Sequence, residues 1–251
     1  MRLELDGAVA TVTLIRFDKR NAQTPELWAA LATIGETLPA DIRVVVLRAE
    51  GPSFSAGLDR ALLAPQSPDD LFPTIATAAD ETALAIIADF QRAFSWWRRP
   101  SLVSIAVVQG HAVGAGFQLA LATDLRVLAD DVQFAMREPS LGLVPDLGGT
   151  QPLVQAVGYS RALEICLTGR WIGAEEAYAL GLGNVVVPRA ELDSATSDLV
   201  AALLAVPSGA AAATKALLAS AESRTYEDQL LAERTAQLGR LRALLSATDT
   251  R

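Results

Sequence analysis

The 251-residue chain is poorest in the residues that usually carry side-chain chemistry: it has one cysteine, Cys166, and one histidine, His111. That scarcity excludes an intrachain disulfide framework and a Cys/His zinc set. A Ser-His-Asp hydrolase would have to use His111, and no G-x-S-x-G elbow accompanies it. Cys166, within Ala162-Leu163-Glu164-Ile165-Cys166-Leu167, reads as a buried helical thiol, and His111 as a turn residue with a hydrogen-bonded ring. Basic residues are also short, 21 against 29 acidic, and a formal charge of −8 argues against a nucleic-acid surface, which needs a dense basic face. The few that cluster, Arg16, Lys19 and Arg20, then Arg98 and Arg99, are candidates for a small phosphorylated ligand or for solvated surface. Ser101 to Thr123 carries no charge, but Gln109, His111, Gln118 and three glycines interrupt it, so it reads as a buried strand-turn-helix rather than a membrane span. Met1 to Gly7 lacks the apolar core of a signal peptide, and a cytoplasmic protein is expected.

What is present is apolar bulk, 51% of the residues, enough for a sizeable core. Leu3-Leu5 and Ala8-Ile15 alternate as strands around Asp6-Gly7, a strong hairpin signal. Thr24-Pro25-Glu26 supplies an N-cap, a first-turn proline and an early acid for a helix through Leu27, Trp28, Leu31 and Ile34. Arg43 to Arg48 reads as a fully buried strand followed by a loop, Glu50 to Asp59. One long helix is expected from about Thr74 to Trp97, where Phe90, Trp96 and Trp97 either line a ligand tunnel or pack in the core or an interface. Strands follow from Leu102, at Leu125-Val127 and at Val132-Phe134, so the first two-thirds reads as successive ββα turns. From Gly148 onward the pattern is chiefly helical. The expected division is a core over 1–190 and a helical region over 191–251, whose last helix, Tyr226 to Leu245, covers the core or meets a neighbouring subunit.

The densest signal is Gln109-Gly110-His111-Ala112-Val113-Gly114-Ala115-Gly116-Phe117-Gln118, which follows the strand and opens a helix. Glycine permits φ > 0 and close approach to a ligand, and the helix start aims unpaired N–H groups at the turn. A dinucleotide fingerprint fits poorly, because Leu119 stands where the third glycine belongs.

Lys19-Arg20-Asn21-Ala22, Ser53-Phe54-Ser55-Ala56-Gly57-Leu58-Asp59, the glycine turn and Glu138 to Gln151 follow one another in an order that resembles the crotonase, or enoyl-CoA hydratase/isomerase, superfamily. Leu167-Thr168-Gly169-Arg170 and Ala174 to Ala177 fit the same pattern. The resemblance implies an α/β fold, a crotonase-type spiral of repeated ββα units with a helical C-terminal region. It also implies assembly as a homotrimer or dimer of trimers and an acyl-CoA thioester as substrate, with coenzyme A part of that substrate, no separate cofactor and no metal. By position, the oxyanion-hole N–H groups fall on Leu58 and Ala115, and CoA contacts on Lys19, Arg20, Ala22, Ser55, Ala56, Gly57, Gly114 and Lys215.

The chain departs from the hydratase pattern of two glutamates. The first position holds Gln118, which can hydrogen-bond a water but cannot take its proton; the second is Glu138. Asp146, eight residues on, stands where dienoyl-CoA isomerases carry an acid. Double-bond isomerisation, with Glu138 as base and Asp146 as acid, is therefore expected over hydration. The alternatives are a non-catalytic acyl-CoA-binding protein or another reaction of the superfamily, such as thioester hydrolysis. As plain structure, Gln118 would bond a neighbouring backbone group and Asp146 would cap the helix after Gly148-Gly149.

Overall fold

A computed structural model describes residues 1–64 and 66–248. The strands are β1 (Arg2–Asp6), β2 (Val9–Leu14), β3 (Val44–Ala49), β4 (Val103–Val108), β5 (His111–Val113), β6 (Leu125–Ala129), β7 (Gln133–Ala135), β8 (Ile172–Gly173) and β9 (Val185–Val187). The helices are α1 (Pro25–Thr37), α2 (Leu71–Thr77), α3 (Asp80–Ser95), α4 (Ala115–Ala122), α5 (Thr150–Val157), α6 (Tyr159–Thr168), α7 (Ala174–Ala179), α8 (Leu192–Ala205), α9 (Ser208–Ala219) and α10 (Tyr226–Thr248).

The main sheet runs β1-β2-β3-β4-β6-β9, parallel except for the β1–β2 hairpin that turns at Gly7. A smaller sheet, β5-β7-β8, lies beside it. The ββα repeat is visible in β1-β2-α1, in β4-β5-α4 and in β6-β7-α5. In the second turn of the spiral the second strand shrinks to a single bridge, Ser55 to Ala112. Strand alternation sends Ala10, Val12, Val45, Leu47 and Ala106 into one core, while Val44, Val46, Ile105, Val107 and Val127 face the other side. There α8 lays Leu192, Ala195, Leu199 and Leu203 across the sheet, so core packing continues past residue 190.

Two expectations change and an open one closes. The helix from Thr74 to Trp97 is two, α2 and α3: Ala78 and Ala79 are extended, and Asp80 and Glu81 open a fresh helix whose positive end favours them. Trp96 and Trp97 are buried and stacked on each other, 3.9 Å between ring centroids, which removes both from any tunnel; half-buried Phe90 packs against Trp28. The last helix does not cover the core. Leu231, Leu238 and Leu241 of α10 are exposed, and Arg240 lies against Gly209 of α9. The region after Gly148 also contains β8 and β9, strands too short to register as a pattern. Among the described residues no single helix is long and apolar enough to cross a membrane.

Candidate active site

Two loops converge at the carboxyl ends of β3 and β4. Phe54 N–H donates to Gln109 O (2.8 Å), Ser55 N–H to His111 O (3.0 Å) and Val113 N–H to Ser55 O (3.0 Å), zipping the 53–55 segment to the glycine turn. The close approach depends on missing side chains. A Cβ on Gly116 would stand 2.5 Å from Ser55 O, and one on Gly57, where φ is +85°, would collide with Val113 O and lie 3.5 Å from Ala115 N.

The same geometry frees two main-chain donors. Gln23 bridges to Leu58 in parallel fashion, with Gln23 N–H bonding Gly57 O (2.7 Å) and Asp59 N–H bonding Gln23 O (2.8 Å), which turns the Leu58 N–H to the other side. Ala115 begins α4, so its N–H has no partner within the helix. Among the described residues neither N–H donates to a protein acceptor. All eight residues of α4 are buried, and its far end is held by cations. Arg98 donates to Leu121 O (2.9 Å), while Arg126, lowered to about 10 by burial, donates to Thr123 O (3.0 Å) and Leu182 O (2.6 Å). This complements the helix dipole and leaves its positive end on the turn. It also removes Arg98 from phosphate binding, and Arg99 turns in toward Gly35 O and the Trp96 face.

Glu138 opens a short 3-10 helix, Glu138–Leu141, after β7. Its carboxyl lies over Gly114, where a Cβ would stand 3.0 Å from Oε1. Gln118, fully buried, donates from Nε2 to Glu138 Oε1 (2.7 Å) and accepts at Oε1 from Leu147 N–H (3.0 Å) and Gly149 N–H (3.2 Å). Gln118 thus bonds neighbouring backbone, as its plain structural reading has it, and the candidate base as well. Glu138 Oε2 is buried without a partner. Burial raises the Glu138 carboxyl above its usual range, against the hydrogen bonds it accepts, and the charge of Asp146 adds to the rise. Asp146 is raised too, by burial. It caps no helix, since α5 begins after Gly149; its carbonyl accepts from Gln91 of α3 (2.6 Å). Cys166, expected to be buried, is half-buried on α6, and its thiol is raised by burial and by the charge of Glu138.

The remaining candidates lie along the first loop or away from it. Lys19 and Arg20 are exposed, and Arg20 O accepts from Ala56 N–H (2.9 Å). Ala22 borders a cavity of about 260 Å³ walled by Ile15, Arg16 and Leu27. Ser55 faces inward, donating to Asn21 O (2.8 Å) and accepting from Gly57 N–H (3.2 Å), so only main chain is presented around Ala56 and Gly57. Lys215, expected at a CoA, is held instead by Asp124 Oδ2 and Leu102 O, both at 2.6 Å, because desolvation favours pairing its ammonium within the fold. His111 rests its ring against Ser53 Oγ (3.3 Å) and Trp171. Asn21, quoted in the sequence only as part of the Lys19-Arg20-Asn21-Ala22 motif, has a role of its own: with φ at +52° it donates to Glu50 O and Ser53 O, both at 2.9 Å, and fixes the loop start. An asparagine, which tolerates positive φ, placed between two basic residues and the Thr24-Pro25 helix start was its one signal. Among the described residues no group of three or more His, Cys, Asp or Glu is placed to hold a metal ion.

A family model for enoyl-CoA hydratase/isomerase matches residues 4–241. A probable enoyl-CoA hydratase of Mycobacterium bovis is 31% identical over 237 residues, covering 92% of this chain and 86% of its own. The (E)-benzylidenesuccinyl-CoA hydratase of Thauera aromatica is 36% identical over 199 residues, 78% of this chain and 73% of its own. Among solved structures, a Thermobifida fusca YX protein assigned as an enoyl-CoA hydratase, in complex with acetoacetyl-CoA, superposes with a TM-score of 0.91 at 51% identity, over 96% of this chain and 94% of that one. Matched from its first strand into its last helix, and built as those relatives are, the chain is an enzyme belonging to the enoyl-CoA hydratase/isomerase family.

Proposed function

We propose that the protein binds an unsaturated acyl-CoA and shifts its double bond, with the Leu58 and Ala115 N–H groups as an oxyanion hole and Glu138 as the base. The observation that carries this reading is a pair of N–H groups without protein acceptors on two loops packed together at Gly57 and Ala115, with a carboxylate over Gly114 whose Oε2 has no partner. Removing a proton from the α-carbon of a thioester sends negative charge to the carbonyl oxygen, and two fixed donors stabilise that enolate more than the neutral carbonyl. Each donor is worth about 3 kcal/mol in comparable acyl-transfer sites. Glu138 takes the α-proton, the electron pair delocalises along the chain, and Asp146 delivers a proton to the γ-carbon. Solvent then returns each carboxyl to its starting state. The CoA portion would lie along Lys19-Arg20-Asn21-Ala22, where exposed cations suit phosphate and the cavity beside Ala22 offers apolar walls. Acetoacetyl-CoA and CoA bound to the Thermobifida fusca protein support this ligand class.

Isomerisation is preferred over hydration because Gln118 spends both ends of its amide on protein partners and has no capacity to accept a proton. Hydration is the second reading, favoured by the hydratase names of the relatives. Two acids in a partly apolar site count against a protein that only binds, since each costs desolvation without serving a ligand. The exposed leucines of α10 fit a homo-oligomeric contact. The test is incubation with a panel of enoyl- and dienoyl-CoA thioesters in heavy water, followed by mass spectrometry. Deuterium uptake with no added water supports isomerisation; a gain of water assigns hydration; binding with neither change assigns a non-catalytic role.

A further inference from the structure

Arg189, in the 3-10 turn before α8, reaches back to both cradle loops. Its Nη2 donates to Gly51 O (2.7 Å) and its Nη1 to Pro52 O (3.3 Å), at the start of the loop that ends in Leu58. The same Nη1 lies 2.8 Å from Asp131 Oδ2, and Asp131 Oδ1 accepts from Gly110 N–H (3.0 Å), at the start of the turn that ends in Ala115. Arg189 is fastened in turn, its own N–H donating to Asp130 Oδ1 (3.2 Å). The two loops are already in contact there, since a Cβ on Gly110 would collide with Pro52 O. A planar guanidinium can hold several acceptors at fixed angles, which an ammonium cannot.

We infer that Arg189, through Asp131, is a positioning residue that sets the separation of the Leu58 and Ala115 N–H groups. This rests on the oxyanion-hole reading above. The ion pair is half exposed, so its charge contributes little to stability. Its effect is geometric: donors preorganised toward one oxygen lose effectiveness when they shift by a fraction of an ångström.

The probe is a conjugated aryl-enoyl-CoA whose absorption moves to the red when its carbonyl is polarised, read on bound ligand without turnover. Wild type is expected to give the red shift. Arg189→Ala is expected to lose half of it or more and to lower kcat about tenfold, with CoA affinity changed less than twofold. Arg189→Lys recovers part at most. Asp131→Asn keeps an acceptor for Gly110 but weakens the link, and gives a smaller loss in the same direction; it decides the matter if Arg189→Ala does not fold. Arg48→Ala, which breaks a more exposed surface pair with Asp193 in the cleft that Arg48 and Arg189 both line, leaves the shift unchanged. No red shift in wild type overturns the oxyanion-hole reading itself. A full shift in Arg189→Ala and Asp131→Asn, or an equal loss in Arg48→Ala, overturns the positioning role alone.

Discussion

The Gln118 amide and the Glu138 carboxylate are joined by a 2.7 Å hydrogen bond, and the other end of the same amide holds Leu147 and Gly149. One buried side chain thereby fixes the candidate base and the loop that carries Asp146. An amide fits this place because it donates at one end and accepts at the other, whereas an ionised carboxylate only accepts.

Replacing Gln118 with glutamate sets a second carboxyl against Glu138. The pair then shares a proton, because two adjacent carboxylates resist double ionisation. A water between them would gain a second acceptor, and hydration of an enoyl-CoA is expected to rise about tenfold, less than the 10²–10⁴ of a fully placed general base because the pair shares one proton. Product analysis by mass spectrometry measures it. Unchanged hydration at every pH would show that this position does not separate the two reactions.

Glu138→Gln keeps the size and a hydrogen-bonding partner for Gln118 but removes the base. Turnover is expected to fall by about 10²–10⁴. Affinity for CoA, measured by calorimetry, should stay within a factor of about three. Full turnover in this variant would remove Glu138 from the chemistry.

The raised carboxyls also make activity and stability move in opposite directions with pH. As the base must be ionised, the rate is expected to climb as pH rises through the Glu138 pKa, above the ordinary carboxylate range. Between the unfolded pKa and that raised value the native state binds more protons than the unfolded chain. The contribution to stability is therefore full below the unfolded pKa and lost as pH rises through the folded one. Asp146, also raised, acts in the same sense. Urea unfolding across this window should show a weaker decline in Glu138→Gln than in wild type.

Much of this was legible because it is written in glycine and in apolar runs. Gly7, Gly57, Gly110, Gly114 and Gly116 mark where the backbone needs positive φ or close contact, and those demands are local to the sequence. The hairpin, α1 with its Thr24 cap, and the strand-turn-helix of β4 to α4 follow the same logic. Long-range partnerships were not legible. Nothing in the sequence near Lys215 points to Asp124, 91 residues away, and nothing near Arg189 points to Gly51. Ala78-Ala79 gave no warning of a helix break, because alanine suits a helix and the break is set by the packing on either side. The role of the two tryptophans stayed open in the sequence because large aromatic rings serve tunnels and cores equally well.

Gly57→Ala tests the convergence of the loops. The residue has φ of +85°, and the added methyl meets the Val113 carbonyl, a backbone group that cannot rotate away. The variant should lose about 1–3 kcal/mol of stability from the backbone conformation alone. Its turnover should fall further than its stability implies, because the next residue, Leu58, carries one of the two donors. Chemical denaturation and kcat, measured below the unfolding transition, separate the effects. Equal turnover would mean that Leu58 N–H takes no part.

Lys215 presents the sharpest choice between a structural and a ligand-binding cation. Its ammonium is partly buried against Asp124 Oδ2 and Leu102 O, and Asp124 also accepts from the Ser104 N–H (2.8 Å) and hydroxyl (3.1 Å). The cluster ties α9 to the start of β4 and to the residue pair that follows α4. Removing one partner leaves a partly buried charge with fewer partners, so Lys215→Met should cost about 1–3 kcal/mol. Asp124→Asn should be destabilising as well, and the double variant less so than the sum, since the two changes delete one interaction. CoA affinity should stay within about twofold in each folded variant. A tenfold weaker CoA complex in Lys215→Met, with its melting temperature unchanged, would mean that the ammonium leaves Asp124 to reach the ligand.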